Sequence, residues 1–231
     1  MTDRTAILAK LARLAAANAA QQHLADRLCE ASRLILGAEG AWITVQDGSG
    51  TRVPLSATSQ IAATLQDLQD VIGQGPCHDA YRDGEAITMT VRDQPDGRWT
   101  EFSRAAWHRV GSVRINAYPM RPGAESFGVL SVHFAAPREP AEPHESAQFL
   151  ADAVGAALLR DPIPREGDLG DGMWSTRAEL HQATGMVIAQ LRIPADDALA
   201  ILRAHAYAHD TTLANIAHQV ISRQIDFRGD S

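Results

Sequence analysis

The sequence predicts two folds in one chain. An α+β domain, an antiparallel sheet with flanking helices, is followed by an all-α domain of three short helices. Three observations predict this. Between residues 41 and 135, apolar alternation marks strands separated by Gly, Pro and Asp turn signals. From 174 to 227, apolar and small residues recur at three- and four-residue steps in three runs. Between these regions, DPIPREGDLGDG (161–172) holds two prolines and three glycines, the composition of a linker without its own core. The expected boundaries are residues 1–160, a linker at 161–173, and 174–228.

The first domain opens with a helical stretch over 5–36, rich in Ala and Leu and free of Gly and Pro. Leu11, Leu14, Leu24, Leu28, Ala31 and Ile35 recur at helical steps, while the polar patch Asn18–His23 predicts a kink or two helices. Such a helix either lies on its own sheet or pairs with its twin in a dimer. AWITVQD then alternates as a strand ending at the turn pair Asp47-Gly48, with Arg52–Ala57 as its hairpin partner. Ser59 suits the N-cap of a helix carrying Ile61, Leu65, Leu68 and Ile72. Gly73–Cys77 reads as a tight loop, His78–Arg82 as a short helix and Glu85–Val91 as a strand. After the loop Asp93–Arg98 come a helix over Glu101–Arg109, strands over Ser112–Met120 and Ser126–Ala135, and a last helix over His144–Arg160.

Over about residues 20–160, the fragments GQGPCHDAYRDGEAI, GRWTEF, GSVRINAYPM and SFGVLSVHF resemble a GAF domain, a sensory module. The resemblance implies the sheet-and-helix fold and leaves the ligand unknown, because a fold does not fix what it binds. It also favours the dimer role for the N-terminal helix. A small-molecule or protein signal is expected at this domain, and no cofactor. Cys77 beside His78 suggests bilin attachment on that resemblance; the plainer reading is a buried thiol in a turn. Arg98-Trp99 reads as a loop anchor with a packed indole and a paired guanidinium. His108, His133 and His144 show no metal-ligand spacing, so no metal site is expected.

In the second domain, Leu180, Ala183, Val187 and Leu191 form one stripe, and Ile193-Pro194 ends it. Asp196 and Asp197 suit the opening turn of the next helix, which presents Ala198, Ile201, Leu202 and His205 or Ala206. Asp210-Thr211-Thr212 offers caps for a third helix with Leu213, Ile216, Ala217, Val220 and Gln224. The Gln182-Ala183-x-Gly185 turn, Ala198, Leu202-Arg203-x-x-Ala206 and Leu213-x-x-x-Ala217 resemble an ANTAR domain, the RNA-binding output module of bacterial transcription antiterminators. Thr184 departs from that family, which often has lysine there. GAF followed by ANTAR is similar to a two-part layout of actinobacterial regulators.

The joint resemblance implies a dimeric, signal-responsive antiterminator whose partner is RNA, tandem hairpin loops in a nascent transcript. Matching the family's pattern gives Ala183, Gly185 and Arg203 as RNA-binding positions; charge and helix face add Arg177, His205 and Arg223. Ala183 and Gly185 either let a nucleic-acid backbone approach closely or pack helix on helix. Composition pulls the other way. The net charge is −7, and from residue 161 onward 6 basic side chains face 10 acidic ones, whereas phosphate neutralisation normally draws on Lys and Arg. One alternative is DNA binding, with residues 210–224 as the second helix of a helix-turn-helix and Gln219, Ser222 and Arg223 facing a groove. Another is a ligand-sensing or protein-interaction dimer without nucleic-acid binding.

Enzyme signatures are absent: no GxSxG, no P-loop, no HExxH. No run of about 18 apolar residues occurs and the N-terminus lacks a signal-peptide layout. Two cysteines, Cys29 and Cys77, are too few for a disulfide framework. The expectation is a cytoplasmic, non-catalytic protein.

Overall fold

The computed structural model describes residues 3–17, 22–46, 52–94, 97–123, 125–160, 173–209 and 211–227, the side chains of 173–178 excepted. The chain divides into two compact units. The predicted linker, the Asp47-Gly48 turn and the cap at Asp210 lie outside the described residues.

In the first unit the predicted N-terminal helix is two, α1 (Arg4–Ala16) and α2 (Leu24–Leu36). Asp3 caps α1 by accepting from the Thr5 amide, and Gly37 ends α2 in the left-handed conformation. Strands β1 (Gly40–Gln46) and β2 (Arg52–Ala57) pair as the expected hairpin. Then come α3 (Gln60–Ile72), α4 (Pro76–Asp83), β3 (Ile87–Thr90), α5 (Thr100–Val110), β4 (Val113–Met120), β5 (Gly128–Ala135) and α6 (His144–Arg160). Ser59 caps α3 as predicted, accepting from the Ala62 amide at 3.1 Å. The short helix starts earlier than expected. Pro76, whose fixed φ suits a first helical position, opens α4 upstream, so Cys77 sits inside the helix rather than in the preceding loop.

The five strands form one antiparallel sheet in the order β2-β1-β5-β4-β3. Strand alternation sorts side chains to its two faces. Ala41, Ile43, Leu130, Val132, Phe134, Tyr118 and Met120 meet Leu28, Ile35, Leu150 and Val154 of α2 and α6 in one core. Ile7, Leu11 and Ala15 of α1 join that core, so packing within its own domain accounts for the buried stripe of α1. Trp42, Ser131, His133, Ile115 and Ala117 alternate with those residues and take the opposite face, where α4 lies. Trp42 and Phe102 are fully buried.

The second unit is α7 (Met173–Leu191), α8 (Ala195–Ala208) and α9 (Leu213–Ile221). Its core is drawn from the predicted stripes: Ala183, Val187, Ala198, Leu202, Ala206, Ile216, Ala217 and Val220 are buried, while Leu180, Leu191, Ile201 and Leu213 pack against them half-buried. Pro194 stands at the N-cap of α8 with Asp196 and Asp197 in the first turn. Thr212 caps α9 by accepting from the Asn215 amide at 3.1 Å. The third helix is shorter than its pattern suggested. Ser222 turns its hydroxyl back to the carbonyls of His218 and Gln219, and Arg223 adopts φ 59°, so Gln224 falls beyond the helix.

Candidate nucleic-acid interface

An α-helix turns about 100° per residue, so Ala183 and Gly185 point to roughly opposite sides of α7. Ala183 is fully buried between helices. Its side chain takes the helix-packing role. Gly185 is exposed, and a Cβ added there would meet nothing within 4 Å. His181, Gln182 and Ala189 are exposed at neighbouring positions of the same face, and exposed Arg192 follows the end of α7. Gly185 and Ala189, one turn apart, leave a low strip of backbone. Imidazole and amide groups stand at one end of it and a guanidinium at the other. Ala189 was missed in the sequence, although the four-residue step from Gly185 would have found it. Thr184, where the related family often has lysine, donates its hydroxyl to the Leu180 carbonyl at 2.7 Å.

The other candidates are dispersed. Arg203 is half-buried on α8. His205, two residues on, stacks against His209 with centroids 5.4 Å apart and takes the Phe227 ring edge-on at 4.7 Å. Burial, and then the neighbouring His209, lower its pKa, so at neutral pH it offers a hydrogen bond rather than a charge. Arg223 is exposed in the turn after α9. The side chain of Arg177 lies outside the described residues. Tyr207 of α8, 58% exposed, is a surface aromatic that the sequence reading did not single out. Of the three residues that the helix-turn-helix alternative aims at a groove, Gln219 lies on α9, Ser222 is its C-cap and Arg223 follows in the turn at φ 59°.

In the first unit, Cys77 is fully buried with its Sγ 3.0 Å from the Ser131 hydroxyl. Cys29 is also buried, and desolvation pushes its thiol up to about 12. Neither is placed for chromophore attachment from solvent. A native-state thiol titration at pH 8 is expected to label neither cysteine, and denaturation to release two; rapid labelling of Cys77 would refute the buried assignment. The loop anchor at Arg98-Trp99 is present as read. Asp79, almost fully buried, accepts from the Trp99 indole N–H at 2.9 Å and from the Arg98 guanidinium. His133 is buried with its Nε2 3.2 Å from the Ser59 hydroxyl, and burial lowers its pKa. Among the described residues no group of three His, Cys, Asp or Glu is arranged to hold a metal, and no helix is long and apolar enough to cross a membrane.

With this geometry in place, comparison with known proteins assigns the class. The GAF domain family model matches residues 18–159, and the ANTAR domain model matches 174–221. The chain belongs to the GAF domain family and carries an ANTAR domain behind it, the layout of a GAF–ANTAR regulator. Both modules are regulatory rather than catalytic. Similar solved structures include the second GAF domain of DevS from Mycobacterium smegmatis, at 17% identity over 57% of this chain and 88% of that one, with a TM-score of 0.39. Another is a GAF domain/HD domain protein from Geobacter sulfurreducens, at 14% identity over 58% and 92%, with a TM-score of 0.42. No curated protein matches at a significant level.

Proposed function

We propose that this chain is a cytoplasmic, homodimeric antitermination regulator. In this reading residues 1–160 sense a signal, 161–173 link, and 174–228 bind tandem hairpin loops in a nascent transcript. The observation that carries it is Gly185, exposed on a polar face of the helix that opens the ANTAR match. Hairpin loops splay bases that hydrogen-bonding and stacking groups can read. His181 and Gln182 supply imidazole and amide donors and acceptors beside Gly185. The absent side chain there, and the short one at Ala189, allow a phosphate backbone or base to lie against the helix. Arg203 supplies the cation, Arg177, His205 and Arg223 are secondary contributors, and Ala183 seats α7 from behind. The acidic balance of this part of the chain makes the electrostatic share of binding small.

A salt titration of binding to a labelled tandem-hairpin RNA, with duplex DNA of equal length as competitor, tests the reading. Expected is loop-dependent binding that survives the DNA, weakens in Arg203→Ala, and loses affinity with salt at a shallow slope of roughly 0.7 per phosphate contact. Binding to neither nucleic acid at low salt would leave the ligand-sensing or protein-interaction dimer instead.

A further inference from the structure

Among the described residues, strand β3 ends the sheet and pairs only with β4. The Val91 amide donates to the Val113 carbonyl at 2.8 Å, continuing the register that pairs Thr90 with Arg114. Antiparallel alternation then turns the amides and carbonyls of Thr88 and Thr90 away from β4, toward the free edge. Along that edge runs a cleft of about 370 Å³, within the range of small-molecule sites. Its walls are cationic and hydroxylic. Three arginines (Arg92, Arg98 and Arg114) line it together with Thr88, Thr90 and Ser103, and among the described residues its lining includes no Asp or Glu.

Carboxylates that are not among the lining residues hold two of these arginines. Asp79 is shared between Arg98 and Arg82, and it also fixes the Trp99 indole. Arg114 is held by the exposed Glu139 and by the Asn116 amide oxygen at 3.3 Å. Arg92 is exposed and pairs with no carboxylate among the described residues. Each guanidinium has five N–H donors, more than these contacts use. Trp99, which lines the cleft beside Met89, keeps a left-handed backbone at φ 59°. That conformation is costly for a bulky residue and collects at ligand clamps.

We propose that this cleft binds a small oxyanion, a carboxylate or phosphate monoester that also carries hydroxyl or amino donors. The oxyanion takes N–H groups of Arg92 and Arg114; its donors meet the outward carbonyls of Thr88 and Thr90; its carbon body lies against Met89 and Trp99. The site gives the sensory unit proposed above a ligand class, and it is tested without RNA, so the two readings fail separately.

Calorimetric titration of the full chain at low ionic strength with citrate, glutamate and glycerol 3-phosphate tests it. Expected is saturable binding of at least one of them at one equivalent per chain. It should weaken tenfold or more in Arg92→Ala, whose exposed side chain makes misfolding a poor explanation, and stay unchanged in Arg104→Ala, which pairs with Glu101 outside the cleft. A carboxylate ligand alone or a phosphate ligand alone would each support the proposal and separate the two sources. No saturable binding, binding insensitive to Arg92→Ala, or binding only of an acidic peptide along the strand edge would overturn it.

Discussion

Gly185→Leu is expected to weaken binding of a tandem-hairpin RNA by about tenfold or more, equivalent to about 1.4 kcal/mol, without loosening the fold. Glycine inside a helix costs about 0.5–1 kcal/mol relative to alanine through backbone entropy. Three structural reasons normally keep one there, and none applies at this position. The backbone does not need a positive φ, no neighbour approaches where a Cβ would stand, and the residue is not at a helix end. What remains is the surface itself. With His181 and Gln182 exposed beside it and only the methyl of Ala189 one turn on, the missing side chain leaves a flat place next to hydrogen-bonding groups. Gly185→Ala should therefore raise the melting temperature by a few degrees and bind RNA slightly less well. Fluorescence anisotropy and thermal melts on the same preparations check both. RNA affinity in Gly185→Leu equal to that of the parent protein would remove the face from the interface.

The difference between Ala183 and Gly185 shows what sequence reasoning resolves and where it stops. The helical period put Ala183 on the stripe with Leu180, Val187 and Leu191, and the structure buries it there. The same period put Gly185 off that stripe, yet a small residue reads alike whether it packs against a helix or lies bare. Only the packing of the folded helices separates the two. Local capping was legible at Ser59 and Thr212, because a side-chain oxygen three residues ahead of an amide is a short-range signal. The early start of α4 was missed because Gly75-Pro76 reads equally as a turn or as the entry to a helix. The end of α9 was missed because Ser222 and Arg223 continue a polar pattern while their backbone has already left the helix. The cleft beside β3 was invisible for another reason. Arg92, Arg98 and Arg114 come from three separate stretches, and only pairing of β3 with β4 sets them around one space.

The largest stability effect is expected at a glycine of the opposite kind. Gly128 opens β5, a strand flanked by β1 and β4. An added Cβ would stand 2.4 Å from the Thr44 carbonyl oxygen and 2.9 Å from the Val45 Cα, both main-chain atoms of β1, and 2.8 Å from the Met120 Cε. The methionine can move aside. The backbone of β1 cannot, because it is paired on both sides, to β2 and to β5. Gly128→Ala must therefore open the β1–β5 ladder where Gly128 faces Val45, at a cost of about 3 kcal/mol, a large part of the roughly 5–15 kcal/mol that holds a domain folded. Gly123→Ala makes the control, since its Cβ would meet nothing within 4 Å and such surface changes stay within about 0.5 kcal/mol. Urea unfolding followed by Trp fluorescence compares the two, with Trp42 in the neighbouring strand as a buried reporter. Equal midpoints for the two variants would show that β5 can shift against β1, and that the register at Val45–Gly128 is not what fixes the sheet.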